Sequence, residues 1–147
     1  MKRISAARRY DVPVDCGFAF ITNPENWSKF WPGYVRLERG SRWEAIGDRA
    51  RLVTRLFLRE RELTLTLRAF EPNRLVTYTS TQPGLPDAYH ERHFDRDGDG
   101  FVYGLVVEYE PRRGIAWLFD SKLLVLGIRR AFERTFTALE HELACTL

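Results

Sequence analysis

Residues 120–144 read DSKLLVLGIRRAFERTFTALEHELA, and the spacing of their apolar side chains dictates what the rest of the chain must supply. Leu124, Ile128, Ala131, Phe132, Thr135, Phe136, Leu139 and Leu143 recur at three- and four-residue steps, which aligns them on one stripe of an α-helix. Arg129, Arg130, Glu133, Arg134, Glu140 and Glu142 fall mostly on the opposite side. Roughly 25 residues at about 1.5 Å each make a helix on the order of 37 Å long, the span of a small domain. Nearly everything before it reads as strands. The apolar surface the helix needs is therefore a sheet.

The strands are legible as alternations. Arg3 to Asp11 forms a first strand, and Pro13 opens a short helix through about Ile21 with Asp15 in its first turn. Asn23-Pro24-Glu25 starts a second short helix, with Asn23 as N-cap, that runs to Phe30 before Pro32-Gly33. Tyr34 to Arg39 is a short strand, and Gly40 and Gly47 mark the turns around Trp43. From Arg49 to Leu58, Ala50, Leu52, Thr54, Leu56 and Leu58 face one way. Leu63, Leu65, Leu67 and Ala69 do the same from Arg61 to Glu71, which sets a tight hairpin at Arg59-Glu60. Further strands span Leu75 to Thr81, Tyr89 to Phe94 and Phe101 to Glu110, divided by a Pro/Gly loop at Gln82–Asp87 and a Gly-rich hairpin at Asp95–Gly100. Phe101, Tyr103, Leu105, Val107 and Tyr109 share one face. The leucine-rich faces of the third and fourth strands are the surface the long helix is expected to cover. The expected architecture is α+β, a single domain over 1–147.

Composition narrows the function. A chain of 147 residues that is 44% hydrophobic and 29% charged suits one folded unit with a sizeable core. The net charge of +3 is too small to imply a nucleic-acid partner, and the arginines between Arg49 and Arg68 alternate with apolar residues as a solvated sheet face does. The N-terminus lacks the apolar stretch of a signal peptide, and Leu123–Ile128, the longest apolar run, is far short of the ~20 residues of a membrane span. A soluble cytoplasmic protein is expected, with Asn26-Trp27-Ser28 irrelevant as a glycosylation sequon. Cys16 and Cys145 form neither a disulfide framework nor a metal spacing, and both are expected as reduced, buried thiols.

Phe20-Ile21-Thr22-Asn23-Pro24-Glu25-Asn26-Trp27, continued by Phe30, Pro32 and Gly33, resembles the f-N-P-E-x-W-x-x-F-x-P-G signature of the polyketide cyclase/dehydrase-like branch of the START and birch-pollen-allergen (SRPBCC) superfamily. Phe70-Glu71-Pro72 and Val107-Glu108-Tyr109-Glu110 are similar to that branch as well, so the resemblance spans nearly the whole chain. It implies the helix-grip fold: a curved seven-stranded antiparallel sheet wrapped around a long C-terminal helix, two short helices between strands one and two, and a hydrophobic cavity between sheet and helix. Members bind lipids, sterols, quinones, polyketides and plant hormones, and only some are enzymes. The signature is structural and carries no catalytic residue with it.

Few residues are candidates for chemistry. Asp95-x-Asp97-x-Asp99-Gly100 matches the first half of a calcium loop, but Val106 stands where the closing Glu belongs, so a hairpin using Gly98 and Gly100 for positive φ is the better reading. His90 and His93 fall on opposite faces of a strand, which argues against a shared metal. Phe94 orients that strand: His90 and Arg92 turn inward with it, unless the strand lies at an edge where both are wet. Inward-pointing His and Arg require a partner such as a ligand carbonyl, enolate or carboxylate. Tyr78, Thr54 and Tyr103 add hydroxyls to the same face. Trp27, Phe30, Trp31 and Tyr34 form an aromatic cluster in which Trp27 is expected to pack, with Trp31 and Tyr34 left open between packing and ligand wall. Trp117, Leu118 and Phe119 beside Gly114 could form a lid.

The leading expectation is binding of a hydrophobic small molecule (lipid, quinone or polyketide-like) in a cavity lined by Leu52, Thr54, Leu56, Leu65, Tyr78, His90, Arg92, Tyr103, Trp117, Leu124 and Ile128, with no cofactor and no metal. In that cavity Leu124 to Ile128 form the roof, and Phe132 to Leu143 pack firmly. The rival is a cyclase/dehydrase-type enzyme with His90 as acid or base, Arg92 as electrostatic stabiliser and Tyr78 or Tyr103 as orienting donor. A protein-interaction scaffold is the third reading, favoured by any broad apolar patch on the outer sheet. Ligand identity and oligomeric state are open.

Overall fold

Proline and asparagine set the corners of the computed structural model, which describes the backbone of residues 1–146 and the side chains of residues 1–143. Strand β1 (Lys2–Tyr10) stops ahead of Pro13, and α1 (Val14–Thr22) follows it. Asn23 Oδ1 then accepts from the Glu25 N–H at 3.1 Å, capping a 3-10 turn over Pro24–Asn26 that passes into α2 (Trp27–Phe30). Six more strands follow: β2 (Tyr34–Leu37), β3 (Arg49–Leu56), β4 (Arg59–Glu71), β5 (Leu75–Thr81), β6 (Ala88–Asp97) and β7 (Gly100–Tyr109). After β7 come α3 (Ile115–Leu118), one π-helical turn (Phe119–Leu123) and the long α4 (Leu124–Thr146). The strands form one seven-stranded sheet in the order β1-β7-β6-β5-β4-β3-β2, antiparallel throughout. This is the helix-grip fold.

Regular helix begins at Leu124 rather than Asp120. The displaced turn is bound by the sheet: the Tyr109 hydroxyl donates to the Asp120 carbonyl, and Arg112 grips the Asp120 carboxylate through Nε (2.9 Å), Nη2 (2.8 Å) and its backbone N–H (2.7 Å). A residue pulled out of the helical ladder in this way leaves a π turn. The guanidinium holds the fully buried Asp120 carboxyl below the usual carboxylate range, against burial that would raise it. Arg112 Nη1 also donates to the Gly84 carbonyl at 2.9 Å, so one arginine ties the helix start to the β5–β6 loop.

The β3–β4 hairpin turns at Phe57-Leu58, not at Arg59-Glu60, because Leu56 already pairs with Arg59. Leu58, expected on the core face, sits at the tip and is 98% exposed. The β6–β7 turn is Gly98-Asp99, with Gly98 at φ 59°. Gly100 does not have the positive φ expected of it. It is required instead because a Cβ there would overlap the Tyr10 carbonyl oxygen of the neighbouring strand. Cys16 is exposed, since α1 turns Gly17, Phe18 and Ile21 toward the sheet; the side chain of Cys145 lies outside the described residues.

Helix α4 packs most closely on β1 and α2, where Tyr10 Oη donates to the Phe136 carbonyl at 2.9 Å and the rings of Tyr103 and Phe136 meet edge to face. Phe136, Leu139 and Leu143 are fully buried. At its first turns α4 stands off from the sheet instead of covering the leucines of β3 and β4 directly. Ile128 and Ala131 are only half-buried for that reason. A β-bulge in β4 between Leu67 and Ala69 bends the sheet around the gap.

Candidate functional site

The gap is a cavity of about 180 Å³, open to solvent and walled almost entirely by apolar groups. Its floor comes mainly from strand positions of one parity: Leu63 and Leu65 on β4, Tyr78 and Ser80 on β5, His90 and Arg92 on β6, Leu105, Val107 and Tyr109 on β7; Glu91 and Val106, of the other parity, also border it. Leu124, Ile128, Ala131, Phe132 and Thr135 roof it, Trp31 closes one side and Leu85-Pro86 another. The roof therefore extends to Thr135 and includes Phe132, one turn and more beyond the Leu124–Ile128 stretch expected to form it.

Leu56, Leu65, Tyr78, His90, Arg92, Leu124 and Ile128 all border this space, as their spacing suggests. Leu52, Thr54, Tyr103 and Trp117 do not, and each is a correction. Leu52 and Thr54 are wholly buried where β3 pairs with β2, away from the cavity walls. Tyr103 lies toward the other end of β7, enclosed by Phe94 and Phe136. Trp117 is on α3 and half-exposed, outside the walls. Face parity is right for the strand residues, but the cavity occupies only the half of the sheet near Ala88 and Tyr109.

Two polar pairs are set in the apolar wall. Arg92 Nη2 donates to Tyr78 Oη at 3.0 Å, and its guanidinium lies 4.8 Å from the Trp31 ring centroid and 5.3 Å from that of Tyr78. Among the described residues no carboxylate forms an ion pair with Arg92. Glu91, its neighbour in sequence, points to the opposite face and bonds His93 at 2.8 Å. The buried Tyr103 hydroxyl beside Arg92 has no hydrogen-bond partner of good geometry, and burial pushes that phenol up to about 12, so it is neutral. Arg92 is thus a permanent cation surrounded by neutral groups, with N–H donors open to the cavity. His90 and His93 stand on opposite faces, and among the described residues no three metal-ligating side chains converge.

His90 stacks on Tyr78 (4.5 Å between ring centroids, 8° between planes) and shares a hydrogen bond with Ser80 Oγ at 2.8 Å. Burial, then the nearby Arg92 charge, pushes its pKa from 6.5 down to about 3. The imidazole is neutral at physiological pH. Because the unfolded chain takes up this proton near pH 6.5 and the folded protein refuses it until about 3, the stability linked to His90 is complete above pH 6.5 and declines as pH falls between those values. Water in the open cavity moderates the effect, so a loss of about 1–2 kcal/mol is expected between pH 7 and 5. Urea melts of the wild type and His90→Gln at both pH values check it. The wild type should lose more than the variant, and parallel losses would remove His90 as the source.

Sequence reading passes over Trp43, whose place is set by a loop rather than a period. Its ring packs on Trp27 (5.4 Å) and Tyr78 (5.5 Å), joining the second-helix cluster to the Tyr78–His90 stack. Trp27 is buried, with Nε1 donating to the Ile21 carbonyl at 3.1 Å. Trp31 is a wall of the cavity, and Tyr34 is half-buried against the core. Ser80 was accessible to reasoning, standing two residues from Tyr78 on the same strand.

No protein-family model and no curated protein matches the chain. Solved structures do match in shape. TTHA0849 from Thermus thermophilus aligns with a TM-score of 0.82 at 16% identity, covering 99% of both chains. The Zhui aromatase/cyclase from Streptomyces sp. R1128 aligns with a TM-score of 0.82 at 15% identity, over 96% of this chain and 92% of its own. A START superfamily protein from Mycobacterium smegmatis gives 0.79 at 10% identity, over 99% of each. At these identities the likeness is one of fold, the helix grip. Among the described residues no helix is long and apolar enough to cross a membrane.

Proposed function

We propose that this helix-grip protein binds a hydrophobic small molecule between sheet and α4, with an anionic or enolic oxygen of the ligand against Arg92. The observation that carries this reading is Arg92 itself, a cation without a carboxylate partner on the wall of an otherwise apolar cavity. Leaving such a charge unpaired costs several kcal/mol of desolvation, which a ligand oxygen offsets. A cavity of about 180 Å³ suits one aromatic ring or a short acyl chain, with longer ligands emerging through the open side. START-like and cyclase-like neighbours that share the fold lend support at the level of class.

A cyclase- or dehydrase-type enzyme is the second reading, since His90 and Arg92 face the same space and one neighbour is an aromatase/cyclase. A base whose pKa lies near 3 is a poor match for abstracting a carbon-bound proton at neutral pH. Binding is the better-supported function. Mass spectrometry of the natively purified protein, with a thermal-shift panel of fatty acids, quinones and phenolic polyketide-like acids, tests it. Acidic or enolic apolar compounds should raise the melting temperature. A protein that carries nothing and shifts with none of them does not have this function.

A further inference from the structure

The cavity accounts for the inner sides of the β3–β4 tip and of the α3–α4 run, and leaves their outer sides unexplained. Leu58 is 98% exposed, Ile115 91%, Leu126 63% and Leu123 57%. The Phe57 ring meets Phe119 edge-on at 5.1 Å and lies against Gly127, so hairpin tip and helix are joined in one apolar surface. That surface borders the cavity: Leu56 and Leu124 line the cavity, while their neighbours Phe57 and Leu123 face outward. Patches of this kind on a folded protein mark contact with something.

The backbone carries an independent sign. Phe57 and Leu58 have φ of 51° and 65°, the left-handed region that two-residue hairpin turns ordinarily fill with Asn-Gly. Two bulky apolar residues in that conformation cost stability and also meet water. Strain retained where a common alternative would remove it points to function at the tip.

Charge identifies the partner. Residues 55–61, RLFLRER, hold three arginines to one glutamate, and residues 111–130 hold five basic residues to Asp120, which is buried under Arg112. Arg113, Lys122, Arg129 and Arg130 are exposed and form no ion pair among the described residues. We propose that this surface docks the protein on an anionic lipid bilayer, with Phe57, Leu58, Leu123 and Leu126 entering the headgroup region and the surrounding cations on lipid phosphates. A second copy fits less well, because a two-fold contact would set the same cations against each other. The docking depends on the outer surface alone and holds whatever the cavity binds.

Flotation with vesicles of phosphatidylcholine, and of phosphatidylcholine mixed with phosphatidylglycerol, tests it on the full chain. Wild type should float with the mixed vesicles and be released by salt. Leu58→Glu/Leu126→Glu, at two exposed positions, should bind at least about tenfold more weakly with an unchanged circular-dichroism spectrum. Leu58→Gly relieves the positive φ, so it should melt no lower than wild type and still bind more weakly, a combination that a purely structural tip would not produce. The proposal is overturned by absence of flotation with either vesicle, by equal flotation of the double variant, or by a wild-type dimer that the double variant dissolves.

Discussion

Replacing Arg92 by Met is expected to leave the fold at least as stable as before and to cost an anionic ligand roughly 10- to 150-fold in affinity. The two effects have opposite signs for one reason. Within the protein Arg92 is a cation with neutral neighbours, held by one hydrogen bond to Tyr78 and by the faces of Trp31 and Tyr78. Met keeps an unbranched, polarizable side chain against those rings, though a shorter one, while removing the desolvated charge, so stability should be unchanged or higher by up to about 2 kcal/mol. In the complex the same charge meets the ligand oxygen in a site of low dielectric, where a charge-assisted hydrogen bond is worth about 1.5–3 kcal/mol. Titration calorimetry with octanoate and with 1-octanol separates these contributions. The variant should lose octanoate and retain octanol. An equal loss of both would mean that Arg92 shapes the cavity without reading charge.

Phe136→Ala should remove about 3–5 kcal/mol of stability, the largest effect expected of a single truncation in α4. Its ring is 1% exposed, meets Tyr103 edge to face and lies under the Arg8 guanidinium at 5.2 Å. The pinned backbone, held by Tyr10 at the Phe136 carbonyl, keeps the helix from settling into the space left behind. Ile128→Ala, eight residues earlier on the same stripe, should cost less than about 1.5 kcal/mol, because that side chain already borders empty volume. It should instead loosen the grip on an apolar ligand. Urea denaturation of the two variants gives the comparison; equal losses would mean that the cavity closes over Ile128 in solution.

Much of the fold is legible in the sequence. The 3.6-residue stripe from Leu124 to Leu143, the two-residue alternation in β3, β4 and β7, and the Pro13 and Asn23-Pro24 corners are local signals, and each produced its element. The same alternation turned His90, Arg92 and Tyr78 inward. The structure differs where a pairing or side-chain contact overrides the local pattern. The hairpin expected at Arg59-Glu60 falls two residues earlier, at Phe57-Leu58, because Leu56 pairs with Arg59. The helix expected from about Asp120 is present, with a π turn at its start where Arg112 and Tyr109 hold that residue.

Periodicity is thus sufficient for the elements and for the two faces of each strand, since these depend on neighbours a few residues apart. It is not sufficient for the extent of the cavity. Whether Leu52 and Tyr103 or Ser80 and Thr135 border the open space depends on how far α4 stands from each strand. That distance is set by contacts between remote residues: Tyr10 with Phe136 at one end, Arg112 with Asp120 and Gly84 at the other. Nor does any period place Trp43 against Tyr78 or bring Phe57 over Gly127. A one-dimensional pattern specifies which side of an element is apolar. Packing in three dimensions decides whether that side is filled by protein, left open for a ligand, or turned outward toward a surface.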